Sequence, residues 1–530
     1  MKPPLSIEGY TDQLSVSPGS TLTFHVSSDA PTYSVEISRV GSARQVVWSR
    51  NSLTGNKYPV PADASTHGCR WPPGFELTVP HDWPSGYYSA ILRAEHDGVQ
   101  TAGEIAFIIR SEHPGRAARI LLQLTTNTDC AYNSWGGYTL YSGPTGPARR
   151  ISFDRPFAGF AADGEYLFQI SGQAQEALNQ RIVSDQLRAE FNRQGAIDLS
   201  PHTFVKVDQP SRRWYVLVPG TTYTAKLDGE HINIYNGFSA WQSGWKNWEY
   251  PFVRWAEKAG YQIDYAANTD LEFNPEILEP YRLVLSVGHD EYWSSPMRDH
   301  LENYIAGGGN VAFFSGNCLF WQVRSEDNGR ALTCWKDHQQ DPFFDGGDHR
   351  LLTTNWCHHL IDRPENHLTG VSFAYGGYYG FFDKYQDGDG AYTIHRPDHW
   401  VFSGTGLQQG DRLGSHDQLV NYECDGCQFN WHDGLPVPTY GDGTPETFEI
   451  LATAPAELSH ADDSVRLVSE ALHGQGTQQG QQQPGAAVMG LYEQGGTVLT
   501  TGCTEWAKGL RGGDPVVEQI TRNILDRLSV

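Results

Sequence analysis

The sequence predicts an α/β fold with a mainly parallel sheet, preceded by a β-sandwich. Three observations carry that expectation. Short β-rich runs separated by turn clusters fill Ser6 to Arg110, and strands alternating with amphipathic helices begin at Arg119. The pattern changes across Ser111–Ala117, where His113-Pro114-Gly115 marks a linker. The expected domains are therefore a sandwich over 1–112 and a larger α/β domain over 113–530.

In the first region Thr21–Val26, Tyr33–Ser38, Tyr87–Arg93 and Glu104–Ile109 read as strands, with SPGS and DWPSG among the turns. In the second, Ile120–Leu124 is a short apolar strand. Glu249–Ala259 has the spacing of a helix packing Phe252, Trp255, Ala256 and Ala259, and Leu283–Val287 is a buried strand. Ser294 is placed to cap a helix with Pro296 in its first turn, running to Ala306 and stopped by Gly307-Gly308-Gly309 before the strand Val311–Phe314. Thr497–Thr500 precedes a last helix capped by Asp514, started by Pro515 and burying Val517, Ile520, Ile524 and Leu528. Two segments interrupt this order. Residues 170–245 read as an insertion, with a helix over Ala174–Gly195 and a strand pair over Trp214–Asn236 turning at Asp228-Gly229. Its aromatic residues suit a lid that selects a bulky substrate. Residues 321–446 read as long loops of the kind that wall a site. The Gln/Gly tract Gly474–Gly485 reads as an excursion between strands.

Composition narrows the function. With 38 basic against 62 acidic residues the net charge is −24, which opposes binding to nucleic acid or to an anionic membrane. No run of about 18 apolar residues occurs, and MKPPLSIEGY lacks the apolar stretch of a signal peptide. Eight cysteines are too sparse for a disulfide framework, so a cytoplasmic location is expected. Aromatic residues at 12% exclude general disorder.

Ligands of open α/β sheets bind beyond the carboxyl ends of strands, so residues that follow an apolar strand are the first candidates. LVLSVGHDEYW supplies them: continued extension past Val287 puts His289 and Glu291 on one side, and Asp290 and Tyr292 on the other. The competing reading makes HDEYW a helix cap. The strand Ile120–Leu124 is followed by TTNTDCAYNSWGGYTLY, where Tyr132, Tyr138 and Tyr141 crowd a loop with glycines. Asn317 ends the strand Val311–Phe314 and either orients a ligand or forms a turn.

Taken in order, AYNSWGGYTLY, SFDRPF, EYPFVRW, LVLSVGHDEYWS, GGGNVAFFSGN with WQVR, and WVFSGTGL resemble the large-subunit catalytic domain of the N,N-dimethylformamidase family over roughly 119–530. The resemblance implies a class I glutamine-amidotransferase-like domain. It further implies a mononuclear Fe(3+) held by two tyrosines and a glutamate, and hydrolysis of a carbon–nitrogen amide bond. Carried over, Glu291 is the carboxylate ligand and His289 the neighbouring catalytic histidine. Tyr132 and Tyr141 are the tyrosine ligands, with Tyr138 a competitor because the family enzyme has a longer segment between its two. Asp290 departs from the amidase's own spelling. The expected partners are a small amide substrate, further copies of the chain and a small companion subunit. Ferric iron favours anionic oxygen and stabilises phenolates, while His289 would carry a proton to the leaving amine and Asn317 would orient substrate or water.

Other motifs carry less. Cys424, Cys427 and His432 begin a zinc-like pattern that no second pair completes, as do Cys357, His358 and His359. Cys318 lacks a nucleophile elbow and reads as a buried thiol. Glu505 either lines the pocket or starts a loop. Two other functions stand beside the amidase: a glycan-binding or glycan-cleaving protein using Asp290 and Glu291, and a non-catalytic relative.

Overall fold

Apolar residues alternating along short runs fold the first 112 residues into two sheets around one core. One sheet orders Ile7–Thr11, Thr21–Ser28 and Pro73–Thr78. The other orders Ser15–Val16, Val99–Ile109, Gly86–His96, Thr32–Val40 and Arg44–Thr54. Leu22, Phe24, Val35, Ile37, Phe75, Leu92 and Phe107 fill the space between them. This computed structural model describes residues 5–133, 135–141, 143, 145–157, 203–206, 214–217, 245–379, 389–459, 464–474 and 485–530. The chain divides into two compact units. The first comprises Met1–Glu112, Asp129–Tyr250 and Ser325–Leu332, and the second His113–Thr128, Pro251–Arg324 and Thr333–Val530.

The second unit is organised by a nine-stranded sheet. Its order is Ile263–Ala267, Ile120–Leu124, Leu283–His289, Asn310–Gly316, Gly496–Thr500, Gly485–Gln494, Glu449–Ala456, Tyr392–Ile394, Arg412–Leu413. The first five strands are mutually parallel, and the last four join antiparallel. Leu283–His289 lies inside the sheet, completely buried, with His289 in register with Gly316. The helix Ser295–Ala306 begins where Ser294 Oγ accepts from Met297 N and buries Met297, Leu301 and Ile305. The closing helix Pro515–Leu528 is capped by Asp514, whose carboxylate accepts from Val516 N and Val517 N, and it buries Val517, Ile520, Ile524 and Leu528.

This arrangement corrects the expected fold class. The structure is mostly β, with strand residues outnumbering helical ones, and its sheets are mixed and antiparallel. It does not present the mainly parallel α/β sheet of a glutamine-amidotransferase-like domain. The reason is local. Gly495, at φ +82°, turns Gly485–Gln494 straight back beside Gly496–Thr500, pairing Gln494 with Gly496. A hairpin of this kind forces antiparallel pairing, whereas a parallel neighbour needs a long crossover. The Gln/Gly tract, expected between strands, follows the helix Ser464–His473 and precedes this partner strand. Residues 321–446 likewise hold strands, among them Ser372–Tyr378, Glu423–Gly426 and the hairpin Phe429–His432 with Leu435–Pro438. Glycine-interrupted strands this short leave no readable period.

In the insertion, Trp214–Leu217 is a strand and pairs antiparallel with Thr203–Lys206; the expected partner segment beyond Asp228 lies outside the described residues. The expected helix Ala174–Gly195, the turn at Asp228-Gly229 and the lid lie outside the described residues. Among the described residues no helix is long and apolar enough to cross a membrane.

Candidate active site

The strand Leu283–His289 ends in three buried ionisable residues, His289, Asp290 and Glu291. Their backbone is held from three sides: Glu291 N donates to Thr128 Oγ1 (2.9 Å), Leu319 N to Asp290 O, and Trp321 N to Glu291 O. Side chains therefore alternate as an extended strand requires. His289 Nε2 lies 3.4 Å from Glu291 Oε2. Asp290 turns the other way and accepts from Gln123 Nε2 (3.0 Å), Ser286 Oγ (2.8 Å) and Asn268 Nδ2 (3.3 Å). Burial raises the Asp290 carboxyl and those hydrogen bonds oppose the rise. The helix cap is Ser294, so HDEYW does not cap it.

Two further segments close on His289. Glu423 Oε2 stands 2.8 Å from His289 Nε2, closer than Glu291 Oε2 at 3.4 Å. Glu423 Oε1 accepts from Tyr378 OH at 3.3 Å, and the Tyr422 ring meets the imidazole edge-on at 5.9 Å. Asn317 Nδ2 lies 3.3 Å from the same Nε2, while its Oδ1 is buried with no hydrogen-bond partner among the described residues. Asn317 adopts φ +48°, a left-handed conformation that asparagine tolerates. Asp425 stabilises the turn by accepting from Asn317 N (2.9 Å) and Cys318 N (3.1 Å). Burial pushes the Asp425 carboxyl up to about 7 against the pull of those backbone donors. Gly316 makes the approach possible, since a Cβ there would come within 2.5 Å of Glu423 O.

Sequence reasoning missed Glu423 and Asp425. Both sit in YECDGCQ, which drew notice only for its cysteines, and only the fold brings that segment to His289. Lys336 was missed as well. At φ +60° its ammonium reaches Tyr292 OH (3.0 Å) and lies 4.4 Å from the Trp321 ring centroid. Burial pushes it down to about 8, and the Glu291 charge opposes the shift.

The tyrosines belong to the first unit. Tyr132 ends the helix Thr126–Tyr132 and is buried; its ring stacks on that of Tyr141, with centroids 5.0 Å apart. Tyr141 is 43% exposed. Tyr138 OH shares a hydrogen bond with Thr145 Oγ1 at 3.2 Å. The structure thus brings His289, Glu291 and Asn317 together in one unit, and Tyr132 with Tyr141 in the other.

The weaker candidates resolve as follows. All eight cysteines are free and buried. The His432 side chain is 78% exposed beside Asp433, whereas Cys424 and Cys427 point inward. Cys318 contacts Ser315 Oγ and is raised far up by burial. Glu505 is buried and pairs with Lys508. Among the described residues, no group of three or more His, Cys, Asp or Glu side chains is arranged to hold a metal. A buried histidine contacted by two carboxylates at the carboxyl end of a parallel strand is a geometry suited to proton transfer.

Comparison with known proteins places the chain more closely. The family described as N,N-dimethylformamidase beta subunit-like, C-terminal, matches residues 34–521, and the chain belongs to it. It is 22% identical over 272 residues to the N,N-dimethylformamidase beta subunit of Alcaligenes sp, covering 48% of this chain and 28% of that protein. It is 27% identical over 120 residues to the N,N-dimethylformamidase beta subunit of Paracoccus aminophilus, covering 19% and 15%. The matches thus span less than a third of either relative's length. Both relatives are named as subunits.

Proposed function

We propose that this protein hydrolyses the carbon–nitrogen bond of a small amide, with His289 as its proton carrier. The observation that carries the reading is the surroundings of His289 Nε2. Protonated, that nitrogen faces Glu423 Oε2 at 2.8 Å and Glu291 Oε2 at 3.4 Å; deprotonated, it accepts from Asn317 Nδ2 at 3.3 Å. One atom therefore has a partner in each protonation state, which suits an acid–base group. In this scheme His289 takes a proton during attack of water on the carbonyl and returns it to the departing amine. Asn317 Oδ1 supplies a buried acceptor for an N–H or water. Glu423 stabilises the imidazolium.

The proposal keeps Fe(3+) as cofactor, with Tyr132, Tyr141 and Glu291 as ligands. The donors fit in kind: Glu291 and Tyr132 are buried oxygen donors, and Tyr141 stacks on Tyr132, a set suited to a hard cation. When bound, the ion would supply a Lewis acid that polarises the amide carbonyl. Assembly with further copies or a companion subunit is proposed from the relatives' names as subunits.

The test is direct. Purified protein, reconstituted with iron, is offered N,N-dimethylformamide and bulkier N-substituted amides while amine release is followed. Amine release that depends on iron, accompanied by a visible phenolate-to-iron band, is expected. Colourless protein that stays iron-free and releases no amine would overturn the reading.

A further inference from the structure

We propose that Arg155 is the positioning residue of the tyrosine-bearing segment 130–141, holding it in the form that binds iron; this rests on the reading of Tyr132 and Tyr141 as ligands. Beyond Tyr132 the described residues 133, 135–141, 143 and 145–149 belong to no helix or named strand before Arg150–Ser152. Yet Ala131, Tyr132, Asn133, Trp135, Thr139 and Leu140 are all buried. Irregular buried backbone has no ladder to satisfy its carbonyls and must find other donors. Two backbone bonds close parts of it, Leu140 N to Ala131 O (3.0 Å) and Ala148 N to Thr139 O (2.9 Å).

Arg155 serves four carbonyls of the segment. Its side chain is fully buried. Nη1 donates to Asn133 O (3.0 Å), to Trp135 O and to Tyr138 O (3.5 Å); Nη2 donates to Cys130 O (3.4 Å), and Nε to Ser152 O (2.9 Å). Four of these acceptors lie within nine residues of chain, on both sides of Tyr132 and at Tyr138 itself. A planar guanidinium with five diverging donors spans such a ring of carbonyls, whereas a lysine ammonium donates from a single point. Arg155 thus fixes the backbone from which Tyr132 projects, and the course of the loop that brings Tyr141 back onto it.

The experiment uses the full chain with Arg155→Met and Arg155→Lys. In metal-free protein, amide hydrogen exchange is measured for peptides covering 130–141 and 283–289. Exchange at least tenfold faster in the first peptide and unchanged in the second is expected for Arg155→Met, with a smaller change for Arg155→Lys. Iron titration should then show affinity at least tenfold weaker and a shifted phenolate-to-iron band for each iron bound. Addition of methylguanidinium to Arg155→Ala should restore part of both. Unchanged exchange at 130–141 would overturn the proposal. So would a loosened segment with wild-type iron affinity and band, which would make Arg155 structural only. Wild-type protein that takes up no iron would instead refute the ligand reading, a result separate from the exchange data. If Arg155→Met does not fold, Arg155→Lys carries the same comparison.

Discussion

Replacing Glu423 by glutamine isolates the charge closest to His289 while keeping its shape. At 2.8 Å, two unit charges in an effective dielectric of about 20 attract by ~6 kcal/mol. Desolvation of both partners takes back most of that, and Glu291 at 3.4 Å continues to stabilise the imidazolium. The net loss should be about 2 kcal/mol, what remains of a buried charge–charge contact once desolvation is set against it. If the imidazolium forms in the rate-limiting step, that loss lowers kcat/KM by a factor of about 30. A less stable imidazolium also moves the acid limb of the kcat/KM profile to lower pH. The assay is amine release across pH 5 to 9 by Glu423→Gln and wild type at matched iron content. Iron should be retained, because Glu423 is outside the proposed ligand set. A variant with wild-type rate and an unmoved acid limb would refute the role given to this pair.

Three further outcomes are expected. Glu291→Ala should lose iron and turnover together, whereas His289→Ala should keep most of its iron and fail in turnover, as metal analysis and amine release will show. Tyr132→Phe and Tyr141→Phe should each weaken the phenolate-to-iron band in absorption spectra and Tyr138→Phe should not; a loss with Tyr138→Phe alone would reassign the ligand. Asp425, raised to about 7 in the folded protein by burial, holds its proton there after the unfolded chain has released it near pH ~4. Stability from this group is therefore complete below that value and falls as pH rises toward 7, by at most about 4 kcal/mol. Thermal unfolding of Asp425→Asn should show a flatter dependence over that window, and a slope equal to wild type would contradict the assignment.

Local elements were legible in the sequence because their signals are local. Ser294 and Asp514 as caps, Pro296 and Pro515 as helix starts, and the strands Ile120–Leu124 and Leu283–Val287, the latter extended to His289 in the structure, follow from residue type and spacing within a few positions. The alternation that turns His289 and Glu291 one way and Asp290 the other is likewise a property of any extended strand. The direction of the sheet was not legible. Gly495 reverses the chain so that Gly485–Gln494 enters antiparallel, three strands from earlier in the sequence stack antiparallel outward from that hairpin, and no periodicity within a strand records its neighbour's direction.

The same limit applies to the site. His289, Glu291 and Asn317 stand at strand ends, where sequence reasoning looks first, but what surrounds Nε2 was decided by contacts across long stretches of chain. Glu423 comes from a short strand that pairs Tyr378 with Glu423, and it reaches His289 because Gly316 leaves room for its backbone. Asp425 fixes Asn317 from 108 residues away. A carboxylate becomes an acid–base partner through its distance to a ring nitrogen and its removal from water, and both of those are set only when the chain has packed.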